Sequence, residues 1–273
     1  MLNNLSATIG TIRATCLRFT SRHRKALRDI PPELYEYWSR TARFEFQGIP
    51  RDAFFYARAS DALLDFFECV RRSNRPCALP SKAADSVWHA WLGYSPASLD
   101  AFCERHFGQR IPHVEAVDMA GGMALPIAMT LVTARTLDGL GLAGPRVPRL
   151  FATDRALRMP QGHAWQVRGN WMVLSLMDPY GRTSQRTRVH PATEPDFLLA
   201  AGLIAQGDYD RWQRACATSG NSGAAVDGAG PELACEGGSS DPGSSDSGSG
   251  DSGSSDGGSG CGSSCGGGCG GGD

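Results

Sequence analysis

Four residues in one segment of the chain, Asp85, His89, Cys103 and His113, carry side chains that bind metals or transfer protons. Asp85 and His89 are four positions apart, so on a helix they share a face and the carboxylate can accept a hydrogen bond from one imidazole nitrogen. That hydrogen bond fixes the tautomer and leaves the second nitrogen for a metal ion. Zinc accepts nitrogen, sulfur and oxygen ligands. One interpretation of the segment is therefore a zinc site with His89, Cys103 and His113 as ligands. Asp85 would be the fourth ligand or would orient a histidine.

Two other interpretations of this segment stay open. In the first, Cys103 and its aromatic neighbours are ordinary core residues, and Asp85 and His89 form a hydrogen-bonded pair at the edge of the core. In the second, Cys103 is a nucleophile paired with His89 or with His106, which follows it by three positions. A thiol among phenylalanine and leucine side chains should have a raised pKa, which argues against a nucleophile.

Two helices joined by a short turn are expected to position these side chains. Ser81 has the residue type and place of an N-cap for the first helix. Ser95 and Pro96 predict the N-cap and first residue of the second helix, and Gly108 is expected to end it. The two helices would pack as a hairpin, with His113 a few residues beyond the second.

Apolar periodicity and turn residues predict the rest of the fold. Further helices are expected over residues 33–46, 51–72, 119–137, 149–157 and 194–216. The dipeptide Gly169-Asn170 stands between two short apolar runs, a pattern that predicts a β-hairpin. The sequence thus predicts a mainly α fold: a single helical domain with at most one small β-hairpin, followed by a disordered tail.

Charge divides the chain into three parts. Residues 1–28 have a net charge of +6, residues 29–215 of +1, and residues 216–273 of −8. The first part is predicted to be a basic amphipathic leader, because its apolar residues recur at spacings of three and four: Ile9, Ile12, Cys16 and Phe19. The second part is the expected helical globular domain. The third is rich in Gly, Ser, Asp and Cys, and it lacks aliphatic and aromatic residues from position 237 onward, which predicts disorder.

The cysteines of the tail are a separate candidate for metal binding. Cys261, Cys265 and Cys269 repeat every four residues, a spacing that lets neighbouring thiolates hold a soft metal ion. The glycines around them make that binding entropically costly, which favours a flexible tail with exposed thiols.

The partners expected from the sequence are proteins, bound through the tail or through an apolar patch. The neutral charge of residues 29–215 argues against nucleic acid, so the basic leader is the part that could associate weakly with RNA. The sequence contains no apolar run that predicts a secretory signal or a transmembrane segment, and a cytoplasmic protein is the default expectation.

A resemblance to known proteins rests on three motifs in residues 85–113. They are Asp85-Ser-Val-Trp88-His89, then Phe102-Cys103-Glu-Arg-His-Phe107-Gly108, then His113. In this order they resemble a group of uncharacterised bacterial proteins that often end in a Gly/Cys-rich tail, and they are distantly similar to plant glycine-rich domain-containing proteins. The resemblance implies no established activity, although the plant proteins are linked to development and RNA association. The second histidine usual in the group is missing here, where Pro112 and Val114 flank the single histidine.

Three functions are therefore expected from the sequence, in this order. The first is an interaction or scaffold module with a flexible, cysteine-bearing tail. The second is a zinc-binding protein or metal-dependent enzyme that uses the cluster in residues 85–113. The third is weak RNA association through the leader. An enzyme should present its histidines in a pocket, whereas an interaction module should bury them or surround an apolar patch with them.

Overall fold

The computed structural model describes residues 2–114 and 122–220 of the chain, and the fold is mainly α. The helices are α1 (Leu2–Thr20), α2 (Arg24–Asp29), α3 (Pro32–Glu45), α4 (Ala53–Arg72), α5 (Lys82–Tyr94), α6 (Pro96–Phe107), α7 (Ala124–Leu137), α8 (Thr153–Leu157), α9 (Pro195–Ala200) and α10 (Gln206–Gly220). The strands are β1 (His163–Arg168), β2 (Trp171–Leu176) and β3 (Arg188–Val189), and a 3₁₀ turn covers Pro191–Thr193.

The mainly α prediction is confirmed, and the small sheet lies where the turn signal predicted a hairpin. Strands β1 and β2 pair antiparallel across Gly169-Asn170, with Arg168 opposite Trp171, and β3 adds a short third strand to β2. The final helix differs from its prediction over residues 194–216. It divides into α9 and α10 because Gly202, at φ +66°, takes a left-handed conformation that an α-helix cannot contain.

Helix α4 is the centre of the core. It contacts α1, α5 and α7, and most of its residues are buried. Its apolar residues cover so much of its circumference that several helices can pack around it. The ring of Phe67 in α4 meets Trp88 of α5 edge to face at 5.2 Å and Phe107 of α6 at 5.5 Å. These contacts hold the two helices that carry the predicted metal ligands against the same central helix.

A buried carboxylate fixes the start of α5. Asp154 is fully buried and accepts hydrogen bonds from the hydroxyl of Ser81 at 2.6 Å and from the backbone N–H groups of Lys82 and Ala83 at 3.0 Å. It also accepts a hydrogen bond from the N–H of His163 at 2.9 Å. Unpaired N–H groups and the positive end of the dipole at a helix N-terminus favour a carboxylate there. Asp154 thus joins α5 to α8 and β1.

A second buried network connects the N-terminal helices to α4. Asp65, on α4, accepts hydrogen bonds from Arg149 at 2.9 and 3.0 Å, and it lies 3.0 Å from the ring nitrogen Nε2 of His23. Asp61, one turn earlier, accepts hydrogen bonds from the hydroxyl of Ser21 and from Arg58. Two carboxylates inside this largely buried helix are tolerated because each is paired with hydrogen-bond donors and cations.

Parts of the predicted organisation fall outside the described residues. This applies to the tail beyond Gly220, with Cys261, Cys265 and Cys269, and to the first residues of the helix predicted at 119–137. The leader, in contrast, is described from Leu2 onward and packs against α4 through α1. Among the helices of the described ranges, none combines the length and the apolar character needed to cross a bilayer.

We predict that Asp154→Asn lowers the free energy of unfolding by about 3–5 kcal/mol, because an amide cannot satisfy all the donors that now face the carboxylate. Urea denaturation followed by circular dichroism measures the change. The control is Asp100→Asn on α6, whose side chain is 42% exposed and which should cost less than about 1 kcal/mol. Equal losses in the two variants would contradict the importance of the Asp154 network.

Asp65 should make stability depend on acid. Burial alone would raise the pKa of its carboxyl, but the hydrogen bond from His23 and the charges of Arg149, His23 and Arg22 lower the pKa below its ordinary value. A carboxylate with a depressed pKa stabilises the folded state above its unfolded pKa, and this contribution disappears as the pH falls through the folded pKa.

We therefore expect the free energy of unfolding to fall between about pH 5 and pH 2, and to fall less steeply in Asp65→Asn. Urea titrations across this range, for both proteins, make the comparison. At neutral pH the free energy of unfolding of Asp65→Asn should already be about 3–5 kcal/mol lower than that of the wild type, because Arg22 and Arg149 lose the carboxylate with which they pair. Identical slopes for the two proteins would show that Asp65 does not cause the acid sensitivity.

Candidate metal centre

Helix α5 begins as the sequence predicts and places two of the candidate ligands. Ser81 is the N-cap, and its hydroxyl accepts a hydrogen bond from the N–H of Ala84 at 3.2 Å. Asp85 and His89 follow one turn apart at the edge of the buried face, where both are partly exposed. The tryptophans between and after them, Trp88 and Trp91, are buried and hold α5 in the core.

Helix α6 and the segment after it bring His113 back to α5. Ser95 caps α6 and Pro96 is its first residue, as predicted, while Gly108 ends the helix in the left-handed conformation at φ +75°. The chain then continues without regular secondary structure to His113. There the ring of His113 meets Trp88 edge to face, with 4.6 Å between ring centroids.

Three donor atoms converge at this point. The Nε2 atoms of His89 and His113 are 3.1 Å apart. Oδ1 of Asp85 lies 3.4 Å from Nε2 of His113 and 3.6 Å from Nε2 of His89. The three side chains are 30%, 23% and 17% exposed for Asp85, His89 and His113. The group is therefore fixed by its neighbours yet remains open to solvent on one side.

Glu45 contacts His89 at the ring nitrogen that does not face Asp85 and His113. The sequence analysis did not identify this residue. It is the last residue of α3, and its Oε1 lies 2.5 Å from Nδ1 of His89. A carboxylate at this nitrogen favours the tautomer with the proton on Nδ1, which leaves the lone pair of Nε2 directed toward Asp85 and His113. The ring of Phe46 also packs edge-on against His89, with centroids 5.9 Å apart.

Cys103 is not part of this group of donors. Its side chain is fully buried on α6, whereas the metal-capable group found among residues 2–114 and 122–220 consists of Asp85, His89 and His113. Burial, with a smaller contribution from the charge of Asp100, raises the pKa of the Cys103 thiol to about 12. A thiol with such a pKa is neither a ready ligand nor a ready nucleophile at neutral pH.

The contacts of His106 indicate a structural role rather than that of the base in a Cys–His pair. Nε2 of His106 lies 3.2 Å from a carboxylate oxygen of Asp29, and the imidazole ring packs on Phe102 with centroids 4.6 Å apart. Burial lowers the pKa of His106 despite the nearby Asp29. These contacts are typical of a histidine that joins α6 to the end of α2.

We predict that Cys103 resists alkylation in the folded protein. Iodoacetamide at about pH 8 should label the exposed Cys16 and leave Cys103 unmodified, because the thiolate is scarce and inaccessible. Peptide mass spectrometry distinguishes the two sites, and both should be labelled in urea. If Cys103 reacted in the folded protein as fast as Cys16, our description of its environment would be wrong.

Comparison with known proteins identifies a family to which part of the chain is similar. The model of an uncharacterised family described as UCP032817-like matches residues 55–173. This range includes α5, α6 and all of α4 except its first two residues, and therefore also Asp85, His89, Cys103 and His113. Neither the curated proteins nor the solved structures gave a match to the chain. Over somewhat less than half of its length, the chain is thus similar to an uncharacterised family, while the similarity to plant glycine-rich proteins stays a prediction.

Proposed function

We propose that Asp85, His89 and His113 bind a divalent transition-metal ion, with zinc as the preferred metal. The observation that carries this proposal is the triangle formed by Nε2 of His89, Nε2 of His113 and Oδ1 of Asp85, whose sides measure 3.1, 3.4 and 3.6 Å. Two imidazoles and a carboxylate are an ordinary ligand set for such an ion.

The size of the triangle favours a tetrahedral ion. Ligand atoms at about 2.0–2.1 Å from a tetrahedral zinc ion are about 3.3–3.4 Å apart. Ligand atoms at a similar distance around an octahedral ion would be only about 3.0 Å apart. The three distances average about 3.4 Å, so the group has the size that a tetrahedral zinc ion requires.

The roles of the two carboxylates differ from the sequence-based hypothesis. That hypothesis gave Cys103 a place among the ligands and left Asp85 as either a ligand or an orienting group. The contacts favour Asp85 as the oxygen ligand and Glu45, at Nδ1 of His89, as the orienting carboxylate. An outer carboxylate of this kind raises the basicity of the imidazole and holds its ring in place.

Three protein ligands leave a fourth tetrahedral position for water or substrate. Structural zinc sites are closed by four protein ligands, whereas catalytic sites keep one position open. Zinc lowers the pKa of a bound water to about 7, so hydrolysis or hydration of a polar substrate is the chemistry that this arrangement would support. The partial exposure of the three side chains gives such a water access to solvent.

The other functions expected from the sequence remain predictions. No specific arrangement of side chains among the described residues supports the interaction or scaffold role, the RNA association of the leader or the cytoplasmic location. Metal binding has three converging donor atoms and a supporting carboxylate, and it is for that reason our first proposal.

Zinc titration by calorimetry tests the proposal. The starting protein should carry Cys261→Ser, Cys265→Ser and Cys269→Ser, so that tail thiols do not compete for the ion. We expect saturation at about one zinc per chain and loss of this site in His113→Ala. A histidine outside the cluster provides the control, and His190→Ala should bind zinc normally.

Two further variants separate the proposed roles. Cys103→Ala should keep the zinc site, whereas Glu45→Gln should weaken binding by about 10–100-fold because His89 loses its orienting partner. Glu36→Gln, on the exposed side of the same helix, is the matched control for Glu45. Zinc binding that persists in His113→Ala, or that disappears in Cys103→Ala with the fold intact, would contradict the proposal.

A further inference from the structure

Helix α1 has two apolar faces, and only one of them is packed within the described structure. Ala14 is buried on the side that contacts α4. Ile9, Ile12 and Phe19 lie on another side, where they are 49%, 58% and 76% exposed. Their spacings of three and seven residues place them along one line of the helix. The stripe that made the leader look amphipathic in the sequence is therefore exposed rather than buried.

The same part of the chain carries concentrated positive charge. Residues 2–28 contain six basic residues and no acidic residue. Arg22 is bound to Asp65 and Asp138 in the buried network. The other five cations are exposed: Arg13, Arg18, Arg24, Lys25 and Arg28. Nε of Arg28 lies 3.9 Å from Oδ1 of Asp29 at the end of α2, so its charge is partly compensated. The exposed apolar stripe thus lies within a segment whose uncompensated charge is positive.

We propose that α1 and α2 bind the surface of an anionic lipid bilayer, with Ile9, Ile12 and Phe19 inserted at the boundary between headgroups and acyl chains. Such a surface offers both components that the segment lacks, apolar volume for the stripe and negative charge for the cations. Because the opposite face of α1 is packed on α4, the helix would lie in the plane of the membrane and the domain would stay outside.

Other occupants satisfy only one of the two requirements. RNA phosphates would neutralise the cations but leave the isoleucines and the phenylalanine in water. A second copy of the chain could cover the stripe, but it would bring two strongly basic segments together. Residues 221–273 of the tail carry eight acidic residues but only two large aliphatic side chains, Val226 and Leu233, and no aromatic one, which is too little apolar surface to cover the stripe. An anionic bilayer is the occupant that meets both requirements.

Vesicle co-sedimentation with the full chain tests the proposal. Vesicles of phosphatidylcholine with about 30% phosphatidylserine should bind the protein at low salt, and vesicles of phosphatidylcholine alone should bind it much less. The double variant Ile12→Ser, Phe19→Ser should bind at least about tenfold less tightly, because it loses most of the inserted apolar area. Phe44→Ser, at an equally exposed phenylalanine of α3, should bind as the wild type does.

Charge variants test the second requirement. Replacing Arg24, Lys25 and Arg28 by glutamine should weaken vesicle binding by about fivefold for each charge removed. A higher salt concentration should also weaken the binding of the wild type, because salt screens the attraction to the anionic lipid. The matched control replaces three exposed arginines elsewhere, Arg168, Arg182 and Arg186, and should change binding little. His113→Ala should bind vesicles normally, so failure of the metal proposal would leave this one standing.

Three results would overturn the proposal. The first is the absence of binding to phosphatidylserine vesicles at low salt. The second is binding that the Ile12→Ser, Phe19→Ser variant and the Phe44→Ser variant reduce equally. The third is that the protein binds another occupant but not vesicles. That occupant would be a second copy, if light scattering shows a dimer that the double variant converts to a monomer, or RNA, if the protein binds poly(U) tightly and the double variant does too.

Discussion

The carboxylate of Asp154 is the constraint on which the candidate site depends. It is fully buried and bonded to the first turn of α5 and to the start of β1, so the helix cannot rotate or slide without breaking a charged hydrogen bond. Asp85 follows within that same turn, and His89 one turn later. Helix α6 then turns back at Gly108, and His113 returns to the face that Asp154 has fixed. The positions of the three donor atoms follow from one buried charge and one sharp helix end.

Local sequence signals predicted the elements around the site well. The caps at Ser81 and Ser95, the glycine at the end of α6 and the hairpin at Gly169-Asn170 are all confirmed, because each depends on a few neighbouring residues and on backbone geometry. The single helix predicted over residues 194–216 was wrong, since its periodicity continues across Gly202 and hides the break. Polar groups that meet only in the tertiary fold, such as Asp65 with Arg149, were missed.

The candidate site shows the same difference between features that local sequence signals predict and contacts that form only in the tertiary fold. Asp85 and His89 could be paired from their spacing, and His113 could be added from its place after α6, because α5 and α6 form a hairpin. Glu45 could not be found, since it lies 40 residues before Asp85 and meets His89 only through the packing of α3 on α5. Cys103 was grouped with the histidines by residue type, but its position on the buried side of α6 separates it from them. Which face of a helix is buried depends on its neighbours in space.

X-ray absorption spectroscopy at the zinc edge tests the account most directly. The sample is the protein with Cys261, Cys265 and Cys269 replaced by serine, loaded with one equivalent of zinc. We predict a first shell of nitrogen and oxygen atoms alone at about 2.0–2.1 Å, with the outer scattering of two imidazoles. A sulfur atom at about 2.3 Å, or a shell without imidazole scattering, would contradict a site built from Asp85, His89 and His113.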